Sequence, residues 1–477
     1  MELPGLLLLI LTTALFAAIG IRYSRNRQVS LEDFISARNS AGFGATFATL
    51  VASGMGAWIL FSPAEAAITG GITALIGYAL SSACALFVYA WLGQRLRKMM
   101  PAGHSIAEYV FYRFGAGMSL LALLITAFYM SVFLTAELTG IALAVQMAFG
   151  IAPGITAAVI GVGTLAYTAV GGLRASIFTD RIQNWLILPL LALVFLGSLF
   201  FLGGVQPVAS RITQNAPQLL DLRSLAGIEY GATLLIAIVS AELFNQANWQ
   251  RVYVAQTTQT MRRSFLTAGL TVLPIILIVG MFGFFAVGTG AADTPSVALI
   301  AFIIAATPTW LLLVTMVLGI TLVMSSMDTM LNGLISLFTV DLARLRPQLE
   351  QPRLLRYARW LTVLPAVLAM LVATQGYSVL YLFLVADLVC AAAVFPTYYG
   401  LFARRFSGTA AMIATLVGII AGAFYFPDPT FSRGSLFQSF LIAFTVPALL
   451  SLLLGQLHLG ERFDFQRLKE RVVAIDE

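Results

Sequence analysis

Cysteine and histidine are nearly absent from this chain: two of each in 477 residues. Cys84 and Cys390 both lie within apolar runs and share no motif spacing, which excludes a disulfide framework and dithiol redox chemistry. His104 and His458 fall in an expected loop and tail, and without a His/Cys cluster a metalloenzyme has no site. The GxxxxGK[ST] loop of an ATP-driven pump is missing, as is any Asn-x-Ser/Thr glycosylation acceptor. Charge is scarce too, with 10% Asp, Glu, Lys and Arg against 60% hydrophobic residues. The mean hydropathy of +0.92 is more than a soluble domain of this length could bury.

The apolar residues fall in continuous runs of about 20, the length that crosses a hydrocarbon core of roughly 30 Å as a helix. A β-barrel would show short alternating segments instead. The fold class is therefore an all-α polytopic protein of the lipid bilayer. Runs and breaks predict thirteen transmembrane helices, near 3–22, 42–69, 72–94, 117–148, 152–171, 183–204, 228–247, 264–288, 308–340, 356–374, 378–402, 408–426 and 436–457. The first, Leu6 to Ile21 at its centre, lacks a basic leader and a small-residue cleavage site, and reads as a retained span.

Lys and Arg stay on the cytoplasmic side of a membrane. With the N-terminus outside and the C-terminus cytoplasmic, 24 of 27 basic residues lie in cytoplasmic segments, Arg22, Arg25, Arg27, Arg174, Arg251 and Arg405 among them. Only Arg211, Arg223 and Arg433 fall outside. The net charge of +6 then follows from topology and needs no nucleic-acid partner. The outside segment 205–227 carries no evident domain, and the tail 458–477 is expected to lie on the membrane surface. The expected location is the plasma membrane, or the inner membrane of a bacterium. Nothing in the sequence sets an oligomeric state.

Residues 51–58 read VASGMGAW. Ser53, Gly54 and Gly56 are weak helix formers that lower the cost of unwinding this run at mid-depth. Non-helical backbone survives there only where it lines a cavity or binds something, and its freed carbonyls are hard oxygen ligands. Small residues also serve close helix packing, so the stretch alone leaves both readings open. Residues 322–329 read LVMSSMDT, with Ser325 and Ser326 adjacent and the Leu322 carbonyl one turn before. Two carbonyls from a broken helix, the Leu322 carbonyl and two hydroxyls make five neutral oxygens, suited to a monovalent cation. Alternatively, the serines bond back to their own preceding turn. Residues 167–183, YTAVGGLRASIFTDRIQ, read as a helix ended by Gly171 and Gly172 and a turn carrying Arg174, Asp180 and Arg181. A new helix capped by Thr179 or Asp180 then leads into Gln183.

Five carboxylates, Glu65, Glu137, Glu242, Asp328 and Asp387, fall inside expected spans. An ionised group there costs several kcal/mol unless paired or hydrated. No Lys or Arg is expected at mid-depth, so each must be protonated, hydrated or in contact with a cation.

YTAVGGLRASIFTDRIQ resembles the signature of the sodium:solute symporter family, which includes sodium-coupled sugar, proline, pantothenate and urea transporters. VASGMGAW resembles the family's broken first core helix, LVMSSMDT its sodium-binding eighth, and FNQANWQR (244–251) the inner end of its sixth. The resemblance implies a LeuT-like core of two inverted five-helix repeats, at 42–204 and 228–402, joined by 205–227. An extra helix and loop would occupy 1–41, and two further helices 403–457. It implies a sodium ion held by the carbonyls of Ala52, Met55 and Leu322 and the hydroxyls of Ser325 and Ser326.

The function implied is a symporter, not an enzyme, that imports a small polar solute by alternating access. The alternative is a transporter-like receptor that binds a solute and signals. Gly54 stands where proline-transporting relatives carry Asp, which points away from proline. The ASGMGAW version, followed by PAGHSIAEYVFYRFG (101–115), is closer to the urea-transporting branch. Urea-like and amino acid-like solutes are both expected. The expected solute-binding residues are Ser53, Gly54, Gly56, Trp58, Glu137, Glu242, Phe244 and Asn245, with Trp58 and Phe244 as gates.

Overall fold

The computed structural model describes residues 2–25, 30–429, 432–457, 462–472 and 475; Arg27, His458 and part of the expected tail lie outside the described residues. The described residues form α1 (Glu2–Ser24), α2 (Leu31–Ile35), α3 (Phe43–Gly54), α4 (Ser62–Met99), α5 (Ile106–Phe114) and α6 (Ala116–Phe149). Next come α7 (Pro153–Phe201), α8 (Val205–Asn215), α9 (Leu225–Glu242), α10 (Gln246–Val254), α11 (Thr258–Thr289) and α12 (Ala298–Ala306). The chain ends with α13 (Thr309–Leu345), α14 (Gln351–Val372), α15 (Val379–Tyr399), α16 (Gly408–Tyr425), α17 (Leu436–Gln456) and α18 (Gln466–Arg471). Eleven described helices are long and apolar enough to cross a membrane. The segment 205–227, expected to carry no evident domain, holds α8 and a short turn of helix at Pro217–Leu220.

Two of the longest helices turn sharply at a glycine: α4 at Gly71 (φ 69°, ψ −161°) and α7 at Gly172 (φ 60°, ψ −168°). A side chain at such a φ costs roughly 1–2 kcal/mol, so glycine marks where each helix turns. A Cβ at Gly172 would lie 2.6 Å from the Phe34 ring, so α2 packs directly on that turn. The basic-acidic turn expected after Gly172 is corrected to this single residue. The helix resumes at Leu173, and Thr179 and Asp180 lie within it rather than capping it. The Thr179 hydroxyl bonds back to Ala175 O (3.1 Å) and Ser176 O (2.9 Å), and Asp180 is fully buried.

Two helices are interrupted. α3 stops at Gly54, Met55 (φ −105°, ψ 85°) and Gly56 (φ −80°, ψ −177°) are extended, and a tight helical turn at Ala57–Leu60 leads into α4. Likewise α9 stops at Glu242 and α10 restarts at Gln246. Between them runs α13, buried along most of its 37 residues against α7 and α6. α4 packs along α11 and α9, α1 lies against α7, and α16 and α17 cover α15.

At the α2 end of the molecule, α10 is tied to the neighbouring segments. Arg38 donates to the carbonyls of Pro101 (2.9 Å), Ala102 (3.1 Å) and Gly103 (3.0 Å). Gln246 Nε2 reaches His104 O at 2.7 Å, and Gln250 Nε2 reaches Ile35 O at 2.6 Å. The His104 ring sits between Glu32 (2.7 Å) and Glu108 (3.2 Å). Burial opposes its charge, but the two carboxylates outweigh that and raise the imidazole pKa to about 9.

Candidate functional site

A helix end leaves backbone groups without intrahelical partners. The last bond of α3 runs from Met55 N to Val51 O (3.1 Å), so Ala52 O lies at an open helix end. Ile59 N turns to Gly56 O (3.2 Å), which leaves Met55 O open as well. The N–H groups of the restart are taken by Glu137 of α6: Ala57 N donates to Oε2 at 2.6 Å and Trp58 N to Oε1 at 3.2 Å. Ser326 Oγ of α13 donates to the same Oε2 at 2.6 Å. Gly56 allows this approach, because a Cβ there would lie 2.2 Å from Glu137 Oε1. Glu137 and Gly56 therefore sit behind the break, not in a solute cavity, which corrects their expected role. The reason is physical: an unpaired carboxylate and two orphan N–H groups satisfy each other.

Beside the break, Ser325 Oγ donates to Asp180 Oδ1 at 2.8 Å. Asp180 Oδ2 accepts from Thr49 Oγ1 (2.6 Å) and from Arg251 Nη2 (3.3 Å), which also donates to Thr329 Oγ1 (3.0 Å). Asp180 and Arg251 are completely buried, and with their partners they join α3, α7, α10 and α13. Arg251, expected in a cytoplasmic segment, lies in α10 as a buried cation, tolerable because its partner is an ion as well. Asp328, a turn beyond Ser325, is held by Thr168 (2.8 Å) and Asn332 (2.7 Å).

The two serines thus each donate a hydrogen bond to a carboxylate, which leaves hydroxyl lone pairs for other use. The back-bonding alternative is also present, since Ser326 Oγ lies 3.2 Å from Leu322 O. The five expected sodium oxygens come from two segments in contact, because α13 packs on both α3 and the turn at Ala57–Leu60.

A cavity lies between the broken helices, lined by Ser53, Gly54, Trp58, Glu242, Asn245 and Asn248 among others. A second shares Trp58, Phe133, Ile238 and Glu242 with it and extends to Asp387. Glu242 stands at their junction, accepting from Tyr129 OH (3.0 Å), Asn245 Nδ2 (3.2 Å) and Asn248 Nδ2 (2.7 Å). Asp387 is 3% exposed and has no hydrogen-bond or ion-pair partner among the described residues. Aromatic rings surround it: Trp58 stacks on Tyr78 at 5.8 Å, and Phe383 meets Phe133 at 5.0 Å. Neither cavity is lined by Lys or Arg.

Ser53, Gly54, Trp58, Glu242 and Asn245 are therefore brought together as expected. Phe244 is not: it is fully buried against Tyr398, with ring centroids 6.4 Å apart, and lines neither cavity, so it is no gate. The sequence reading passed over Asn248, Thr49 and the aromatic walls. Asn248 had a signal, standing one turn after Asn245 at the start of α10, but the rings had none that distinguishes them from packing.

The sodium:solute symporter family's model matches residues 33–418. The chain belongs to this family. A spermidine transporter of Candida albicans is 26% identical over 426 residues, covering 87% of this chain and 78% of that protein. A Na+-coupled sialic acid symporter in a substrate-bound outward-open state superposes with a TM-score of 0.76 at 19% identity, over 95% of this chain and 98% of that one. Mhp1, a nucleobase-cation-symport-1 family transporter, gives 0.58 at 12% identity over 92% and 98%. The family member described here thus has a LeuT-like, inverted-repeat core. It is a sodium-coupled membrane transporter of a small solute, and its family and neighbours are transporters rather than enzymes.

Proposed function

We propose that this symporter imports a small organic cation, an amine or polyamine, together with sodium. The observation that carries the reading is Asp387, a buried carboxylate without a partner among the described residues, sharing an aromatic-walled cavity with Glu242. A carboxyl group buried here is either protonated or met by a positive charge, and ring faces attract a cation. A neutral urea-like solute would leave an ionised Asp387 uncompensated. An amino acid would bring a carboxylate with no Lys or Arg to meet it, and the N–H groups of the broken helix, the usual alternative for an anion, are taken by Glu137. Spermidine, the solute of the Candida albicans relative, has the required chemistry.

Sodium in this reading is held by Ala52 O, Met55 O, Leu322 O and the hydroxyls of Ser325 and Ser326. Glu137 and Asp180 turn the hydroxyl protons away from the ion. Bound sodium bridges α3 and α13, and its affinity for the joined state biases alternating access. Thirteen membrane passes result when 43–70 and 225–254 each count as one interrupted helix and α4 and α7 are divided at Gly71 and Gly172. The repeats are placed at 42–204 and 228–402. The basic α2 end faces the cytoplasm, with the N-terminus outside.

Uptake into proteoliposomes under a sodium gradient tests this, with spermidine and putrescine against urea and a neutral amino acid. Asp387→Asn should abolish amine uptake while the folded protein still binds sodium. Sodium-driven urea uptake that amines do not inhibit would refute the cation reading. A cysteine at position 223 should label from outside and one at 405 only after permeabilisation.

A further inference from the structure

The outer surface carries a groove of about 420 Å³ between α7, α13 and α14. Val162 and Ala166 of α7, Leu331 of α13 and Val363 of α14 form its apolar part, and Arg356, Arg359 and Trp360 line one end. Arg356 and Val363 lie about 10 Å apart along α14 at 1.5 Å per residue, so the groove follows the helix axis from basic to apolar. Trp360 and Leu364 are exposed, marking the level at which headgroups give way to acyl chains.

Neither arginine has a hydrogen-bond or ion-pair partner among the described residues. Arg359 Nε is buried without an acceptor, and its guanidinium lies 5.1 Å over the Phe34 ring. Arg353, one turn earlier, differs in pairing with Glu350 at 3.6 Å. Two uncompensated guanidinium groups at the mouth of an apolar groove, at interface depth, match a phosphate on an acyl chain.

We propose that this groove binds one anionic glycerophospholipid from the leaflet at the α2 end. Its phosphate lies on Arg356 and Arg359, and one acyl chain runs past Ala166 toward Val162. A zwitterionic lipid fills the same apolar space but brings its own ammonium to the arginines, which selects against it. The site reports to the transport machinery by two routes. Thr168 lines the groove and donates to Asp328 of α13, and Phe34 beneath Arg359 abuts the turn at Gly172.

The test uses the full chain in nanodiscs of phosphatidylcholine alone or mixed with phosphatidylglycerol, read by unfolding midpoint and by lipid retained in native mass spectrometry. Wild type should retain phosphatidylglycerol and unfold at a higher temperature in its presence. The R356Q/R359Q double variant should bind it roughly ten- to thirtyfold more weakly, as expected for two interfacial arginines. R405Q, an exposed arginine elsewhere, should not change it. Ala166→Trp narrows the apolar half without altering charge and should also reduce retention. Equal phosphatidylglycerol stabilisation of wild type and R356Q/R359Q overturns the proposal, as does a wild type that does not prefer it to phosphatidylcholine. Should R356Q/R359Q fail to fold, wild-type retention by Ala166→Trp overturns it alone.

Discussion

Ser326 and Glu137 meet at 2.6 Å, hydroxyl to carboxylate, where α13 passes the interrupted helix. The same carboxylate oxygen accepts from Ala57 N at 2.6 Å. One side chain therefore caps a helix restart and orients a hydroxyl on another helix. This predicts the behaviour of Glu137→Gln. The amide keeps one acceptor and turns its N–H2 either toward Trp58 N or toward Ala57 N and Ser326 together, so at least one charge-assisted bond is lost. A loss of roughly 1.5–3 kcal/mol lowers apparent sodium affinity about ten- to a hundredfold. Sodium titration of uptake at saturating solute checks it, and solute affinity at high sodium should change less.

Ser326→Ala and Ser325→Ala each remove one proposed ligand. Both variants should fold, need much more sodium for half-maximal uptake, and recover when sodium is raised. Unchanged sodium dependence in Ser326→Ala would remove the hydroxyl cage from the mechanism.

Asp180 and Arg251 should be interdependent. Removing one partner of a buried pair leaves the other charge alone and costs roughly 3–5 kcal/mol. Asp180→Asn and Arg251→Met should each lower the unfolding midpoint sharply. Combined, they should cost less than the sum of the two, because no lone charge remains. Additive losses in this double-mutant cycle would show that the two residues act separately.

Gly172→Ala places a Cβ at φ 60° against the Phe34 ring and should destabilise by roughly 1–3 kcal/mol. Gly54→Ala is the matched control, since its Cβ meets nothing within 4 Å. Unfolding midpoints in detergent should separate the two variants clearly.

The His104 cluster gives stability a pH dependence. Its folded pKa of about 9 stands above the ordinary 6.5, so its contribution is complete below 6.5 and is lost as pH rises through 9. The side chain is 1% exposed, and the shift corresponds to roughly 3 kcal/mol. The unfolding midpoint should fall between neutral and alkaline pH in wild type and stay flatter in His104→Gln.

What could be read from the sequence was what depends on local residue type. Ser53, Gly54 and Gly56 announced an interrupted helix, because weak helix formers in an apolar run act locally. Ser325 and Ser326 read as adjacent hydroxyls for the same reason, but nothing local shows that each meets a carboxylate. The burial of Arg251 was not legible because hydropathy weighs a charge without its partner, and Asp180 lies 71 residues away. Glu137 was assigned to the solute cavity because nothing local reveals that it meets Ala57, 80 residues distant. Asp387 stood out as an acid in a span, yet its surroundings come from α4, α6, α9 and α15, whose aromatic residues look like ordinary packing in each helix alone.

The lone carboxylate at Asp387 also has an electrical consequence. A membrane potential does work of about 2.3 kcal/mol on each elementary charge per 100 mV. Sodium contributes one such charge per ion, and a neutral solute adds none. An amine that satisfies Asp387 and Glu242 adds its own charges, so the voltage pulls both cargoes in the same direction. At about 1.4 kcal/mol per tenfold, every further protonated nitrogen steepens the attainable accumulation. Current divided by solute flux would then read out the number of coupled sodium ions plus the valence of the transported molecule.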